Sequence, residues 1–253
     1  GLPETVRAMQ GLVHYAATLR RGVAAMGAPA GSAEQLDDKH FDGLLALHGL
    51  TKPSSALAAS PDAAAVEATR IGFPVVVKIV SPQASHKTEV GGVTLGLRNA
   101  AEVRAAAETM ARRLTVHDPS ARIEGFLVQE MVDGTEVILG VREDPQFGPF
   151  MLAGFGGVLV EVMRDVAIRL LPVDDNTALG MLRSLRGAPL LEQFRGRPAR
   201  DIDALVAAMT GLSKLFIDHR QWLTDLEINP LMVRPQGKGA VAVDVRVIWR
   251  DAK

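Results

Sequence analysis

The sequence contains no cysteine, and aromatic residues make up only 4% of its 253 residues. The lack of cysteine excludes disulfide scaffolds, thiolate zinc sites and cysteine nucleophiles, and it fits a reducing compartment, so we expect a cytoplasmic protein. The few aromatic rings argue against a surface on which nucleic-acid bases stack. Basic residues (28) and acidic residues (29) nearly cancel, so no overall field attracts nucleic acid or anionic lipid.

Long apolar runs and the common short nucleotide and protease motifs are also missing. No apolar run reaches the roughly 20 residues that a membrane helix needs, and the first residues lack the pattern of a signal peptide. We therefore expect neither a membrane partner nor a nucleic-acid partner. The sequence has no GxxxxGK[ST], no GxGxxG after a strand, no HExxH and no GxSxG. Any nucleotide is then bound without a P-loop or a dinucleotide-binding fold.

The order of helical and extended patterns predicts an α+β fold. The first part of the chain has helical spacing, and one helix begins at Ser60. From Phe73 onward β-branched runs of strand length dominate, with further helices after Asn99 and after the pair Asp174-Asp175. The strands do not alternate regularly with helices, which argues against a doubly wound sheet. A boundary near residues 128–133 divides a helix-rich first lobe from a strand-rich second lobe.

Lys78 lies in the middle of the apolar run FPVVVKIVS, which predicts a strand buried on both faces. A buried, unpaired ammonium is costly, so Lys78 has to reach a carboxylate or an anionic ligand, or extend to water at the end of the strand. The next loop contains HKTEVGGV, with His86, Lys87, Gly91 and Gly92. Adjacent glycines let backbone N–H groups approach phosphate oxygens, although the same pair is also common in simple turns.

Two predicted strands meet at the segment QEMVDGTEV, which begins at Gln129. The backbone of such a hinge can bind a purine edge, while a carboxylate at the start of the second strand binds ribose hydroxyls. A surface hairpin explains the segment equally well. The hinge candidates are Glu130, Met131 and Val132, and the carboxylate is Glu136.

The closing strands LEINPLMVR and VAVDVR carry a set of oxygen ligands. Strand alternation places Glu227 and Asn229 on one face and Ile228 on the other, and a hairpin turn at PQGKG brings Asp244 beside them. Two carboxylates and an amide oxygen suit Mg²⁺. The alternative is a solvated strand face with acidic residues that have no ligand.

Four segments taken together carry a resemblance to a known family. They are VVVKIVSPQASHKTEVGGV, GVREDPQFGPFMLAGFGGVLVEVMRDVAIRLLPV, LRGAPLLEQFRGRP and LEINPL with VAVDVR. In this order they resemble the ATP-grasp domain of the NDP-forming acyl-CoA synthetases, relatives of succinyl-CoA synthetase, over about residues 33–249. The resemblance implies two α+β lobes that clasp a nucleotide, with residues 32–128 in the first and 129–253 in the second. Residues 1–31 resemble the connector helix and linker that leave the family's CoA-ligase domain.

The resemblance also implies roles for the candidate residues. It implies that Lys78 contacts the nucleotide phosphates, that the backbone of residues 130–132 contacts adenine, and that Glu136 contacts the ribose. The phosphate-side loop consists of His86, Lys87, Gly91 and Gly92, with His86 as phosphoryl acceptor or relay. Mg²⁺ is bound by Glu227, Asn229 and Asp244. Weaker candidates are Arg169 for phosphate charge and Glu161 for a supporting contact, while the glycines 154, 156 and 157 serve backbone packing.

The implied activity is ATP-dependent synthesis of acyl-CoA with release of ADP and phosphate, through a phosphohistidine. The implied partners are the CoA-binding and CoA-ligase domains, which contain the sites for CoA and a carboxylic acid. This chain alone is then expected to bind nucleotide without completing the reaction. Two other hypotheses are a degenerate, non-catalytic regulatory or scaffold domain, and an ATP-grasp ligase that joins an acid to an amine. The HKTEVGGV loop argues against the ligase of acid and amine.

Overall fold

The computed structural model describes residues 38–82, 91–157, 165–193, 196 and 198–250. Two antiparallel sheets organise them. The smaller sheet has four strands in the order β1-β4-β2-β3. Its strands are β1 (Ser55–Ala58), β2 (Val75–Val80), β3 (Val93–Leu97) and β4 (Gly125–Glu130), and its helices are α2 (Pro61–Ile71) and α3 (Ala100–His117), which follow α1 (Asp38–Leu47) in the chain.

The larger sheet has the strand order β10-β8-β5-β6-β7, and β9 pairs with β8 beside this path. The hairpin predicted at PQGKG joins β8 to β9, and the chain then continues along β8 as β10. The strands are β5 (Thr135–Asp144), β6 (Gly148–Phe155), β7 (Val166–Leu170), β8 (Leu223–Val233), β9 (Ala240–Ala242) and β10 (Val245–Trp249), with helices α4 (Asp175–Ser184) and α5 (Ile202–His219) between β7 and β8. The prediction of an α+β fold is confirmed.

Helix starts follow the capping residues that the sequence offers. Ser60, Asn99 and Asp174 each accept a hydrogen bond from the backbone N–H three residues later. These bonds satisfy donors that the first helical turn leaves free, which is why the predicted starts of these three helices are confirmed. Within the described ranges, none of the helices has the length and apolar character required of a membrane span.

Each sheet has its own apolar core. In the smaller lobe, β2 and β4 pack against α2 and α3 through residues such as Val77, Val103 and Phe126. In the larger lobe, one face of the sheet packs against α4 and α5, and the other face is open. Because Val137, Leu139 and Val141 of β5 all point to the helix-covered face, the alternate residues of β5 point to the open face.

Helix α1 packs with the larger lobe, although the sequence-based boundaries placed residues 32–128 together in the first lobe. Phe41, Leu45 and Leu50 are buried in the core of the larger sheet. The backbone after α1 comes so close to α5 that a Cβ on Gly211 would clash with the carbonyl oxygen of His48. A local helical pattern does not reveal which sheet the helix covers. The predicted connector at residues 1–31 lies outside the described residues.

Candidate functional site

The smaller sheet presents Lys78 to the larger lobe. The Lys78 side chain, on β2, is only 9% exposed, and its Nζ lies 3.8 Å from Oδ2 of Asp244. It also donates a hydrogen bond of 3.4 Å to the carbonyl oxygen of Val243. Both partners lie between β9 and β10 of the larger sheet. The expectation that a buried ammonium in this strand reaches a carboxylate is therefore confirmed.

Gln129, on β4, lies beside Lys78 on the same face of the smaller sheet. Its Nε2 donates to the Val243 carbonyl oxygen at 3.3 Å, so two side chains of the smaller lobe share one acceptor of the larger lobe. Its Oε1 is buried and has no hydrogen-bond partner among the described residues. A buried amide oxygen without a partner is costly and marks a place where a ligand donor could bind. The sequence analysis did not select Gln129 as a site residue.

The larger sheet brings the three predicted metal ligands together at its open face. Asn229 donates from Nδ2 to Oε1 of Glu227 at 3.3 Å, which confirms that the two side chains share a face. The backbone N–H of Asn229 donates to the carbonyl oxygen of Asp244 at 2.9 Å. Ile228 between them is fully buried on the other face. The donor set of two carboxylates and one amide oxygen has the chemistry that Mg²⁺ prefers.

No group of three or more histidine or acidic side chains is placed to hold a metal ion within the described residues. The predicted set contains only two carboxylates, Glu227 and Asp244, so a cation there would keep several water or ligand oxygens. That arrangement is typical of Mg²⁺ sites that bridge phosphates and is unlike a metal cage built from protein alone.

The open face also carries two arginines, which the sequence analysis did not select. Arg246 of β10 contacts Glu227 at 3.2 Å and Asp225 at 3.9 Å. Arg142 of β5 donates from Nε to the same Asp225 oxygen at 2.8 Å. The alternation of Asp244 and Arg246 in VDVR is the one sequence signal for this placement. It indicates a shared face, but the partners depend on the register between β8 and β10.

A cavity of about 420 Å³ lies on the open face of the larger sheet. One end is charged and contains the Asp225, Glu227 and Asn229 side chains, and the floor toward β6 and β7 is apolar. The complete lining is Ile138, Gly140, Val141, Arg142, Phe150, Leu152, Val166, Asp225, Glu227 and Asn229. A polar end with an apolar floor is typical of a small-molecule site.

The predicted hinge lies at the end of β4, where the chain leaves the smaller sheet. Two of its N–H groups are already bonded: that of Glu130 donates to the Ser54 carbonyl at 2.8 Å, and that of Met131 donates to the Pro74 carbonyl at 3.3 Å. Met131 is 41% exposed. The hinge therefore offers a ligand its carbonyl groups and the backbone of Val132.

Glu136 lies on β5, on the same face as the cavity residue Ile138, and it packs against two glycines. A Cβ on Gly156 would lie 2.9 Å from the Glu136 Cβ, and a Cβ on Gly157 would lie 2.9 Å from Glu136 Oε2. A Cβ on Gly154 would similarly approach the Asp165 carbonyl oxygen to 2.9 Å. The expectation that these glycines permit close packing is confirmed.

The remaining predicted residues divide into three groups. Gly92 accepts a hydrogen bond from the Ile79 N–H at 2.8 Å and so continues the pairing of β2, and Gly91 has a positive φ of 65°. Arg169 is on the helix-covered face of β7, with the buried Ala167, and its Nη1 donates to the Ile168 carbonyl oxygen. The structure therefore does not bring Arg169 together with Lys78 and Asp244. His86, Lys87 and Glu161 lie outside the described residues.

Comparison with known proteins identifies the family. The family model of the ATP-grasp domain matches residues 27–248. The chain belongs to the ATP-grasp family. The two sheets that face each other through Lys78 and Asp244 are thus the two lobes of an ATP-grasp fold, and the predicted fold is confirmed.

Curated relatives of this ATP-grasp domain are ADP-forming acid–CoA ligases. The chain is 40% identical over 205 residues to 4-hydroxybutyrate–CoA ligase (ADP-forming) of Nitrosopumilus maritimus, covering 81% of this chain and 29% of that protein. It is 36% identical over 208 residues to the beta subunit of acetate–CoA ligase (ADP-forming) II of Pyrococcus furiosus, covering 82% of this chain and 88% of the subunit. The domain therefore spans about three tenths of one relative and most of the other.

Solved structures agree with these relatives. An acetyl-coenzyme A synthetase of Ca. Korarchaeum cryptofilum, in complex with coenzyme A and Ca-AMPCP, matches with a TM-score of 0.76 and 38% identity, covering 84% of this chain and 90% of that chain. The same synthetase in complex with coenzyme A and Mg-AMPPCP matches with a TM-score of 0.68 and 32% identity, covering 86% and 92%. The predicted relationship to ADP-forming acyl-CoA synthetases is confirmed.

Proposed function

We propose that this domain binds ATP and transfers its phosphoryl group within an ADP-forming acyl-CoA synthetase, an enzyme that converts an acid, CoA and ATP into acyl-CoA, ADP and phosphate. One observation carries the proposal: Lys78 of the smaller lobe pairs with Asp244 of the larger lobe, and the Asp244 backbone is hydrogen-bonded to Asn229. A triphosphate with its divalent cation requires a fixed positive charge and oxygen ligands that converge. The curated relatives supply the assignment to acid–CoA ligation.

The nucleotide then extends along the open face of the larger sheet. Because the N–H groups of Glu130 and Met131 are already bonded, adenine would use the Val132 backbone or the hinge carbonyl groups. Glu136, two residues before the cavity residue Ile138 and on the same face of β5, would accept hydrogen bonds from the ribose hydroxyls. Lys78 would contact the phosphates. The loop with His86, Lys87, Gly91 and Gly92 would cover the phosphate side.

The oxygen ligands at β8 fit Mg²⁺. Asn229 and Asp244 would hold the cation. Glu227, predicted as the third ligand, has both carboxylate oxygens engaged by Asn229 and Arg246, so it would support the other two ligands. Mg²⁺ when bound neutralises charge on the phosphate oxygens. Lys78 adds a positive charge that needs no reorganisation, because its partners in the other lobe already hold it in place. Ile138 and Leu152 give the cavity an apolar floor beside these polar groups.

The phosphoryl group would pass from ATP to a histidine and then to a second site where it meets the acid and CoA. A neutral imidazole can attack phosphorus near pH 7, because its ordinary pKa is about 6.5. The CoA-binding and CoA-ligase domains, in the same polypeptide or a partner subunit, would contain the second site. The domain alone would bind nucleotide without forming acyl-CoA. A cytoplasmic location stays a prediction from the sequence.

We further propose that His86 takes part in the phosphoryl relay. The reconstituted synthetase is incubated with γ-labelled ATP, and label that is stable in base and labile in acid is measured on this domain. His86→Ala should lose this label and most acyl-CoA synthesis, and His117→Ala, at the exposed end of α3, serves as the control.

Full acyl-CoA synthesis and unchanged labelling in His86→Ala would refute the relay role and leave nucleotide binding intact. A wild-type domain that binds no ATP with or without Mg²⁺ would instead point to the non-catalytic regulatory or scaffold alternative.

A further inference from the structure

Four charged side chains form a continuous row across the open face of the larger sheet. Arg142 pairs with Asp225, Arg246 lies between Asp225 and Glu227, and Glu227 accepts the amide hydrogen bond of Asn229. The row crosses three neighbouring strands, because Arg142 and Asp225 face each other between β5 and β8, and Glu227 and Arg246 face each other between β8 and β10. It ends at the residues to which we assign the cation.

Both carboxylate oxygens of Glu227 are engaged. Oε2 accepts from Nη2 of Arg246 at 3.2 Å, and Oε1 accepts from Nδ2 of Asn229 at 3.3 Å. Since Nδ2 of Asn229 is bonded to Glu227, the amide Oδ1 is directed away from that carboxylate. Oδ1 is the Asn229 atom that can bind a cation, because the amide nitrogen has no lone pair to offer. The orientation of this ligand therefore depends on Glu227.

Stability alone does not account for the Arg246 contacts. The Arg246 side chain is 59% exposed, and pairs in such positions contribute little to folding. Asp225, in contrast, is only 10% exposed and contacts both arginines. A guanidinium held between two carboxylates has few available orientations, because its donors form a rigid, planar fork. Arg246 is thus fixed on one side by Asp225 and fixes Glu227 on the other.

We propose that Arg246 is a positioning residue for the cation site: it holds the Glu227 carboxylate, which holds the Asn229 amide with Oδ1 free to bind the divalent cation of the nucleotide. Asp225, paired with Arg142, anchors Arg246. This inference rests on the proposed function, since it assumes that Asn229 and Asp244 receive Mg²⁺ together with ATP. Arg246 acts through Glu227 and requires no contact of its own with the nucleotide.

The test measures Mg²⁺ dependence and needs no enzyme turnover. Binding of AMPPNP to the domain is followed by calorimetry, first in EDTA and then over a series of Mg²⁺ concentrations. Mg²⁺ should increase the affinity of the domain for AMPPNP. Arg246→Met should raise the Mg²⁺ concentration that gives half of this increase about tenfold, which is the effect of losing one hydrogen bond to a charged group. Its affinity for AMPPNP in EDTA should match that of the wild type. Arg246→Lys should recover only part of the Mg²⁺ response, because an ammonium lacks the planar fork.

A double-mutant cycle separates positioning from direct contact. Glu227→Gln keeps an acceptor for Asn229 and removes the ion pair, so it should raise the Mg²⁺ requirement as Arg246→Met does. The double variant should be no worse than either single variant, because both remove the same interaction. Arg250→Met is the matched control: Arg250 pairs with Glu143 just beyond β10, outside the cation site.

Three results would overturn the inference. One is an Arg246→Met variant whose Mg²⁺ requirement equals that of Arg250→Met. Another is a double variant whose Mg²⁺ requirement rises by the product of the increases in Arg246→Met and Glu227→Gln. The third is a loss of AMPPNP affinity in EDTA that Arg246→Lys restores, which would make Arg246 a direct phosphate contact. A wild-type domain that shows no Mg²⁺-dependent binding would refute the proposed function, and that outcome is distinct from the other three.

Discussion

At the scale of single residues, the sequence predicts the polar groups whose neighbours are close in the chain. Lys78 is conspicuous because five apolar residues surround it in VVVKIV, and a buried ammonium must have a partner. Glu227 and Asn229 share a face by alternation alone. Arg246, Arg142 and Gln129 could not be found in this way. Their partners lie on other strands, and no local sequence pattern predicts the register between those strands.

Arg169 shows the same limit. The resemblance to the acyl-CoA synthetases implied that this basic side chain contacts phosphate. Which face of β7 meets the helices depends on how the whole sheet packs, and Arg169 lies on the helix-covered face with Ala167. Its role in phosphate binding stays a prediction, without support from its position.

Lys78→Met should weaken ATP binding about tenfold to a hundredfold. The substitution keeps the apolar stem and removes a charge whose contact with phosphate contributes about 1.5–3 kcal/mol. The free energy of unfolding should stay the same or rise, since methionine tolerates burial without a partner. Calorimetric titration with ATP and urea denaturation measure the two effects.

Lys52→Met is the control for this prediction, because Lys52 also pairs with an aspartate, Asp42, but its side chain is 35% exposed. A Lys78→Met variant that unfolds more easily and yet binds ATP with wild-type affinity would show that Lys78 has a structural role.

At the scale of helices and strands, capping residues and β-branched runs were sufficient to predict most of the elements. The starts of α2, α3 and α4 follow their capping residues. Strand β1 was not predicted, because SALA is short and rich in alanine, and its strand conformation comes from pairing with β4. Leu47, the last residue of α1, is 81% exposed, although Leu45 in the same helix is fully buried, so an apolar residue in a helical segment does not by itself indicate burial.

Asp201 joins two elements, and Asp201→Ala should lower the free energy of unfolding by about 1–3 kcal/mol. One carboxylate oxygen caps α5 by accepting from the Ala204 N–H at 3.1 Å, and the other accepts from the Gly239 N–H at 2.8 Å in the turn between β8 and β9. Asp174→Ala is the control and should cost less, about 1 kcal/mol, because Asp174 caps only α4. Urea denaturation of both variants measures the difference.

The same carboxylate gives the prediction a pH dependence. The hydrogen bond from Gly239 holds the pKa of Asp201 below its ordinary value of 3.8. Its stabilising contribution is therefore present above pH 3.8 and is lost as the pH falls through the lowered pKa of the folded state. The difference between wild type and Asp201→Ala should shrink in acid. An equal difference at pH 7 and in acid, or equal costs for the two variants at pH 7, would contradict this account of Asp201.

At the scale of the whole molecule, polar side chains of the smaller lobe contact the larger lobe within the described residues. Lys78 and Gln129 both donate to the Val243 carbonyl oxygen, in the segment before β10. Composition and element order were sufficient to predict an α+β fold, and the resemblance gave the family. The placement of α1 with the larger lobe required the tertiary structure, because apolar residues such as Phe41 and Leu45 carry no local signal for the core that they join.

The central claim is that residues of both lobes bind ATP together with Mg²⁺. Calorimetric titration of ATP into the wild-type domain and into Asp244→Ala, each with Mg²⁺ and with EDTA, tests it most directly. We expect the wild type to bind ATP more tightly with Mg²⁺ than in EDTA. Asp244→Ala should lose about tenfold or more of the affinity measured with Mg²⁺, because a charged ligand of the cation is removed. Wild-type binding that does not respond to Mg²⁺, or an Asp244→Ala variant with the full Mg²⁺ response, would contradict the account.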